Sequence, residues 1–437
     1  MMTEENNSTP DSVPQLQEDG VRCRVANRRL AGCAVLLAVI AFAAIYVKTG
    51  VPDSGLSVDE PYHVGMSDLL TQAALQRTFP WTRISIWKDC FYDKELGFHI
   101  LLGSVRRWAA IFGRSGDSPP FRLETSVLLL IFSCAFYWSL RRAGATWPAL
   151  WLVPVLLMCP HFTLRINQVR PQVLSVSVLL IVAGLMSRWA RRRQPVLLFS
   201  LGFCLSYCHS NPHFIALPAG MYLLTAWRSE RWRAALPLVI GLGGALAGLV
   251  VHPQFPNTLV IWKIQCVDVV WQALSHSVAG LSSPAEFESA NAHEIIWTLP
   301  MWLMLVAALV LSYRSWRAGT LPTATRYFLG LAVICCVGFL TCFRTIEYAV
   351  PFTVIACGLA YDDHFAGRTT RFHQTVFAIL AAVCLALLPV QMRAFSSRVP
   401  VLPRQFAGWC RERISPGSYI ANLFWDDFPQ LFFVMPE

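Results

Sequence analysis

Apolar runs of about 15 to 20 residues recur along the chain between short polar segments, the pattern of a chain threaded repeatedly through a bilayer. They fall near 30–47, 121–140, 147–160, 172–187, 195–209, 212–227, 235–251, 295–312, 326–342, 346–361 and 373–391, which predicts about eleven transmembrane helices. Two further segments have helical periodicity without the character of a span. Residues 98–112 put Phe98, Leu101, Leu102, Val105, Trp108, Ala109 and Phe112 on one stripe, with Arg106 and Arg107 inside the same stretch. Two arginines in hydrocarbon are costly, so this segment is predicted to lie at the interface as an amphipathic helix. Residues 258–275 behave similarly, with Gln265, Asp268, Gln272 and the following His276 on one face. The expected fold class is an all-α polytopic membrane protein with amphipathic helices in its outer loops.

Composition agrees with this pattern. Of 437 residues, 55% are hydrophobic and 14% charged, with a mean hydropathy of +0.47, so lipid rather than water must solvate most of the chain. The net charge of +10 is no nucleic-acid footprint, because the arginines sit in short loops beside apolar runs. Alternate loops carry Arg141 and Arg142, then Arg188 with Arg191, Arg192 and Arg193, then Arg228, Arg231 and Arg233, then Arg314, Arg317 and Arg326, then Arg368 and Arg371. Arg22, Arg24, Arg28 and Arg29 precede the first span, which reads as a retained anchor. The positive-inside rule then predicts a cytoplasmic N-terminus and an extracytoplasmic C-terminus. The domain reading is a disordered cytoplasmic tail at 1–29, a membrane domain at 30–392 with outer loops 48–120 and 252–294, and a short extracytoplasmic segment at 393–437. Most of the 14 cysteines lie in apolar spans and read as small packing residues, not a disulfide framework.

Asp, Glu and His gather on the outer side. The first outer loop holds Ser57-Val58-Asp59-Glu60-Pro61-Tyr62-His63, then Asp89, Asp93, Glu95 and His99. Ser57 and Glu60 have capping-box spacing, which gives Glu60 a structural reading beside a functional one. Capping leaves the Asp59 carboxylate available as a general base for a hydroxyl. In the second outer loop, Glu286 and Glu288 read as a solvated acidic pair. Cys204, Cys208, His209 and His213 could be drawn as a zinc set, but Asn211-Pro212 interrupts the helix between them, and no metal ligand is assigned.

A span, an outer loop opening on Asp59-Glu60, interfacial helices and alternating short basic loops together resemble the GT-C glycosyltransferases, above all the protein O-mannosyltransferase and lipid A aminoarabinose transferase branch. The sequence DEPYH at 59–63 is also similar to the dolichyl-phosphate-glucose-dependent glucosyltransferases. The resemblance spans the membrane region. It implies a polyprenyl-phosphate-linked sugar as donor, a glycan, lipid or protein hydroxyl as acceptor, and an inverting displacement with Asp59 as base and Glu60 beside it. A departing lipid phosphate needs cations. The candidates are Arg165 and Arg170 in RINQVRPQ, Arg344 in FRTIEYAVPF, and Lys263. Snorkelling to headgroups is the competing reading of Arg165 and Arg170. His63, Asp93, His99, Glu347 and Tyr348 complete the set as substrate-binding candidates. A divalent ion stays open, since Asp59 and Glu60 could divide base and ligand roles. The segment ELGFHILLG at 95–103 departs from the proline-rich stretch of many relatives. Two other classes compete: a secondary transporter or flippase of envelope lipids, and a non-catalytic assembly subunit of the same architecture.

Overall fold

The computed structural model describes residues 32–39, 41–42, 59–72, 75–81, 86–111, 121–189, 194–269, 271, 288–396, 404–415 and 432, and every regular element among them is helical. The predicted tail 1–29 and the residues Ser57, Phe112, Gln272, His276 and Glu286 lie outside this set. The segment predicted as the first outer loop holds α1 (Glu60–Gln72) and α2 (Leu96–Ile111). The chain continues through α3 (Arg122–Ala143), α4 (Leu152–Leu157), α5 (Pro160–Ile166), α6 (Pro171–Met186), α7 (Gln194–Cys208), α8 (Ala216–Glu230) and α9 (Leu236–Val251). After α10 (Asn257–Lys263) and α11 (Ala292–Trp297) come α12 (Leu299–Arg317), α13 (Thr323–Thr341), α14 (Ile346–Phe365), α15 (Thr370–Ser396) and α16 (Arg404–Arg413).

Among the described residues, 6 helical segments are long and apolar enough to cross a membrane, and 7 if the bent pair α5–α6 is one span. The predicted spans map onto these unevenly. The run 147–160 folds as turns and the six-residue α4, nearly all of it buried. The run 195–209 becomes α7, whose 15 residues reach only about 22 Å at 1.5 Å per residue. The runs 212–227 and 235–251 join in one 40-residue apolar stretch. The chain turns back between α8 and α9 at Arg231 (φ 54) and the 3₁₀ turn Arg231–Ala235, so the two helices pack side by side with Ile215 against Gly241.

The hub is α14, which packs on α12, α13 and α5; 89% of its apolar window is buried inside the protein. Phe132, Phe136, Phe162, Phe328, Phe339 and Phe352 fill the core around it and around α3 and α6. Helix α3 ends where Gly144 (φ 108) takes the left-handed conformation and returns its N–H to Leu140 and Arg141. In lipid there is little hydrophobic drive between helices, so close backbone approach matters. The α7–α9 contact is built that way: a Cβ on Gly244 would lie 2.1 Å from the Phe199 carbonyl oxygen, and one on Gly202 2.3 Å from that of Gly241.

The predicted interfacial segment is helix α2, laid against α1. Phe98, Leu102 and Ala109 of its stripe are buried, whereas Trp108 is exposed. Arg106 turns inward and joins three helices, donating from Nε to Asp68 Oδ1 on α1 at 2.9 Å and from Nη1 to Glu124 Oε1 on α3 at 3.4 Å. The second segment predicted to be interfacial is α10, continued by a π-helical turn at Ile264–Asp268.

Candidate functional site

The site begins at a break. Proline has no N–H to donate and disfavours helical backbone in the residue before it. Pro171 accordingly holds Arg170 extended (φ -132, ψ 143), and α5 meets α6 at 104°. The turn Asn167–Arg170 is buried, and its backbone groups must find partners outside regular helix. The segment predicted as the first outer loop supplies one. Glu60 Oε1 accepts from the Val169 N–H at 2.9 Å, 109 residues away. Arg170, 7% exposed, pairs through Nη2 with Asp59 Oδ2. The adjacent carboxylates of the Asp-Glu motif are thus both seated on this break.

Asp59 also starts α1, its carbonyl accepting from the His63 N–H at 3.1 Å. Because the helix begins at Glu60, the Oε1 of Glu60 goes to Val169, while the capping-box serine is outside the described residues. One turn on, His63 Nδ1 is 3.0 Å from His99 Nε2, and His99 Nδ1 is 2.9 Å from Asp93 Oδ2. All three are buried, His99 completely. Asp93 is held in turn: its N–H donates to Gln254 Oε1 at 2.9 Å, and its Oδ1 accepts from the Glu95 N–H at 3.2 Å. Tyr62 packs edge-on against both imidazoles.

Burial dominates the electrostatics. It pushes the His63 pKa well below the usual imidazole value, with the charges of His99, Arg170, Lys94 and Arg344 adding to it. It raises Glu95 above the ordinary carboxylate value against the pull of Lys94 and His99. His252 sits between the rings of Tyr92 (5.0 Å) and Tyr207 (4.7 Å). Its Nδ1 accepts from the Gln254 N–H at 3.2 Å, and burial lowers its pKa to about 4, partly offset by Asp93.

The remaining candidates divide. Arg165 on α5 donates from Nε to Glu347 Oε1 on α14 at 2.7 Å, and its guanidinium lies 6.0 Å over the Phe343 ring. Both partners are buried, which is not how a snorkelling arginine sits. Tyr348, next to Glu347, is buried with its ring against Phe214. Arg344 leads into α14 on a 3₁₀ turn, and its charge acts on both His63 and Glu95. Lys263 holds Asp268 at 2.7 Å with a side chain 65% exposed, and no described contact joins it to the other candidates.

Sequence reasoning assigned no metal ligands, whereas the fold brings donor atoms of Asp93, Glu95 and His99 within 4.8 Å of one another. By donor type this set suits a divalent ion, which would supply a fixed positive charge beside α1. His99 Nδ1 and Asp93 Oδ2 are already hydrogen-bonded to each other, so an ion there would have to displace that proton. Gln254 and the Val169 N–H were also missed; neither titrates, and only the fold brings them to the motif.

No protein-family model and no curated protein matches the chain. Among solved structures it is similar to the oligosaccharyltransferase of Archaeoglobus fulgidus. In the form bound to an inhibitory peptide and a dolichol-phosphate, the TM-score is 0.60 at 12% identity, covering 92% of this chain and 63% of that one. The apo form gives 0.57 at 12% identity over the same shares. A complex with zinc and sulfate gives 0.51 at 14% identity, over 91% of this chain and 61% of that one. The chain therefore spans less than two thirds of those proteins and shares their fold.

Proposed function

We propose that this protein is an integral membrane glycosyltransferase of the GT-C type, moving a sugar from a polyprenyl-phosphate donor to an acceptor hydroxyl on the extracytoplasmic face. The observation that carries the reading is the seating of Asp59 and Glu60 on the buried turn that holds Arg170. A base and a phosphate-binding cation are thereby in direct contact. The oligosaccharyltransferase neighbours, one of them bound to a dolichol-phosphate, support a lipid-linked donor. The acceptor is a glycan, lipid or protein.

In this reading the donor phosphate enters beside Arg170 and Arg344 and competes with Asp59 for the Arg170 guanidinium. Asp59, so released, takes the proton of the acceptor hydroxyl as its oxygen attacks the anomeric carbon. The bond from that carbon to the phosphate oxygen breaks with its electron pair on the lipid phosphate, whose charge the arginines stabilise. The configuration at the anomeric carbon inverts. Glu60 keeps the motif on the turn, and the pair Arg165–Glu347 fixes α5 against α14.

The 104° helix break supports a second reading, because transporters place substrates at discontinuous helices. Purified protein in lipid vesicles, screened over polyprenyl-phosphate mannose, glucose, amino sugars and pentoses, separates the two. Release of lipid phosphate with transfer of the sugar is the expected result. Movement of a lipid across the vesicle membrane without cleavage of any donor would establish transport instead.

A further inference from the structure

Within the motif Asp59–His63, Glu60, Pro61 and His63 are buried, whereas Asp59 and Tyr62 keep part of their surface. These two stand three apart at the start of α1, the spacing that puts side chains on one face. Tyr62 is therefore the neighbour that a substrate at Asp59 meets. Among the described residues no hydrogen bond engages the Tyr62 hydroxyl, so the packing of its ring decides where that group points.

The ring is wedged between two sets of partners. It meets the imidazoles of His63 and His99 edge-on, with ring centres 5.4 and 6.1 Å away. It also packs on a separate apolar cluster of Met66, Phe79, Phe91 and Phe432. Phe432 reaches this cluster from far along the sequence and is 4% exposed. Its ring centre lies 5.8 Å from that of Tyr62, 5.6 Å from Phe79 and 5.2 Å from Trp81. The surface that receives it is braced by its own backbone. Phe79 N–H donates to the Trp87 carbonyl at 2.9 Å, and Phe91 N–H to that of Arg77 at 3.0 Å. Without the Phe432 ring, Tyr62 would lose a wall opposite the imidazoles and gain room to turn.

We infer that Tyr62 is a substrate-binding residue whose hydroxyl hydrogen-bonds a sugar hydroxyl beside Asp59, and that Phe432 is the positioning residue that holds its ring there. The inference rests on the glycosyl-transfer reading and names a contact of that site. A phenol both donates and accepts, as a sugar hydroxyl does. That hydroxyl belongs to the transferred sugar or to a glycan acceptor.

Two mild substitutions separate the roles. Tyr62→Phe removes the hydroxyl and keeps the ring, whereas Phe432→Leu keeps the cluster apolar and withdraws the ring face. Transfer kcat/KM should fall about 3- to 10-fold in Tyr62→Phe, the share of one neutral hydrogen bond. Phe432→Leu should lower it in the wild-type background but not in Tyr62→Phe, where the group it positions is already gone. A purely structural Phe432 would give equal losses in both backgrounds. Fluorine NMR of 3-fluorotyrosine-labelled protein reads the contact without turnover, with Tyr62 assigned as the signal missing from Tyr62→Phe. That signal should move in Phe432→Leu. A loss shared by donor hydrolysis without acceptor marks the transferred sugar, and a loss confined to transfer marks the acceptor. Full transfer by Tyr62→Phe, equal losses in the two backgrounds, or an unmoved Tyr62 signal would overturn the inference and leave glycosyl transfer standing. No turnover of any donor by the wild type would reject glycosyl transfer, and the sugar contact with it.

Discussion

His252 shows how burial at this site couples to pH. Its pKa is about 4 in the fold against 6.5 for an ordinary imidazole. Above pH 6.5 the ring is neutral folded or unfolded and contributes no pH dependence. Between 6.5 and about 4 the unfolded chain takes up a proton that the folded one refuses, so stability falls as pH falls, by up to about 1.4 kcal/mol per pH unit. Thermal midpoints of the purified protein between pH 7.5 and 5 should therefore drop, and His252→Gln should flatten that dependence. An unchanged slope in the variant would mean that other groups set the acid sensitivity. At this scale the sequence was informative where a residue carries its own chemistry. Asp59, Glu60, His63, Asp93, His99 and Arg170 were all legible as candidates, and the fold brings Glu60 to Val169 and Asp59 to Arg170 across 109 and 111 residues of sequence. Glu347 was read as a neighbour of Arg344, yet it takes Arg165, 182 residues away. Partner choice between helices far apart in sequence leaves no trace in local spacing.

Among the elements, the α7–α9 packing gives the sharpest test. Two neighbouring glycines on α9 face different surroundings: a Cβ at Gly244 meets the Phe199 carbonyl oxygen at 2.1 Å, and one at Gly243 meets nothing within 4 Å. Gly244→Ala must push two backbones apart and should cost about 1–3 kcal/mol. Gly243→Ala should be neutral or slightly stabilising, since alanine favours helix over glycine. Thermal denaturation in detergent compares the two, and equal effects would contradict the packing described. The elements also show where hydropathy misleads. An apolar run reports distance from water, not length along a bilayer normal. Residues 147–160 are apolar because α4 and its turns are buried in protein. The break between α5 and α6 was written in Pro171, but its 104° angle depends on what both helices pack against.

For the whole molecule, a likeness at 12% identity over 92% of the chain says that the arrangement of helices is shared while few side chains are. The distribution of apolar runs, basic loops and an acidic first outer loop was enough to anticipate that architecture. Among the described residues 6 helical segments, or 7 with the bent pair joined, are long and apolar enough to cross a membrane, against about eleven predicted runs. In the proposed function, what the molecule does with the architecture turns on Asp59, held by Arg170 at the break. The most direct test compares wild type with Asp59→Asn for sugar transfer from polyprenyl-phosphate donors, in purified protein of matched thermal stability. The account predicts transfer by the wild type and none above background for the variant, with donor binding retained through Arg170 and Arg344. Full transfer by Asp59→Asn would contradict the assignment of Asp59 as the base.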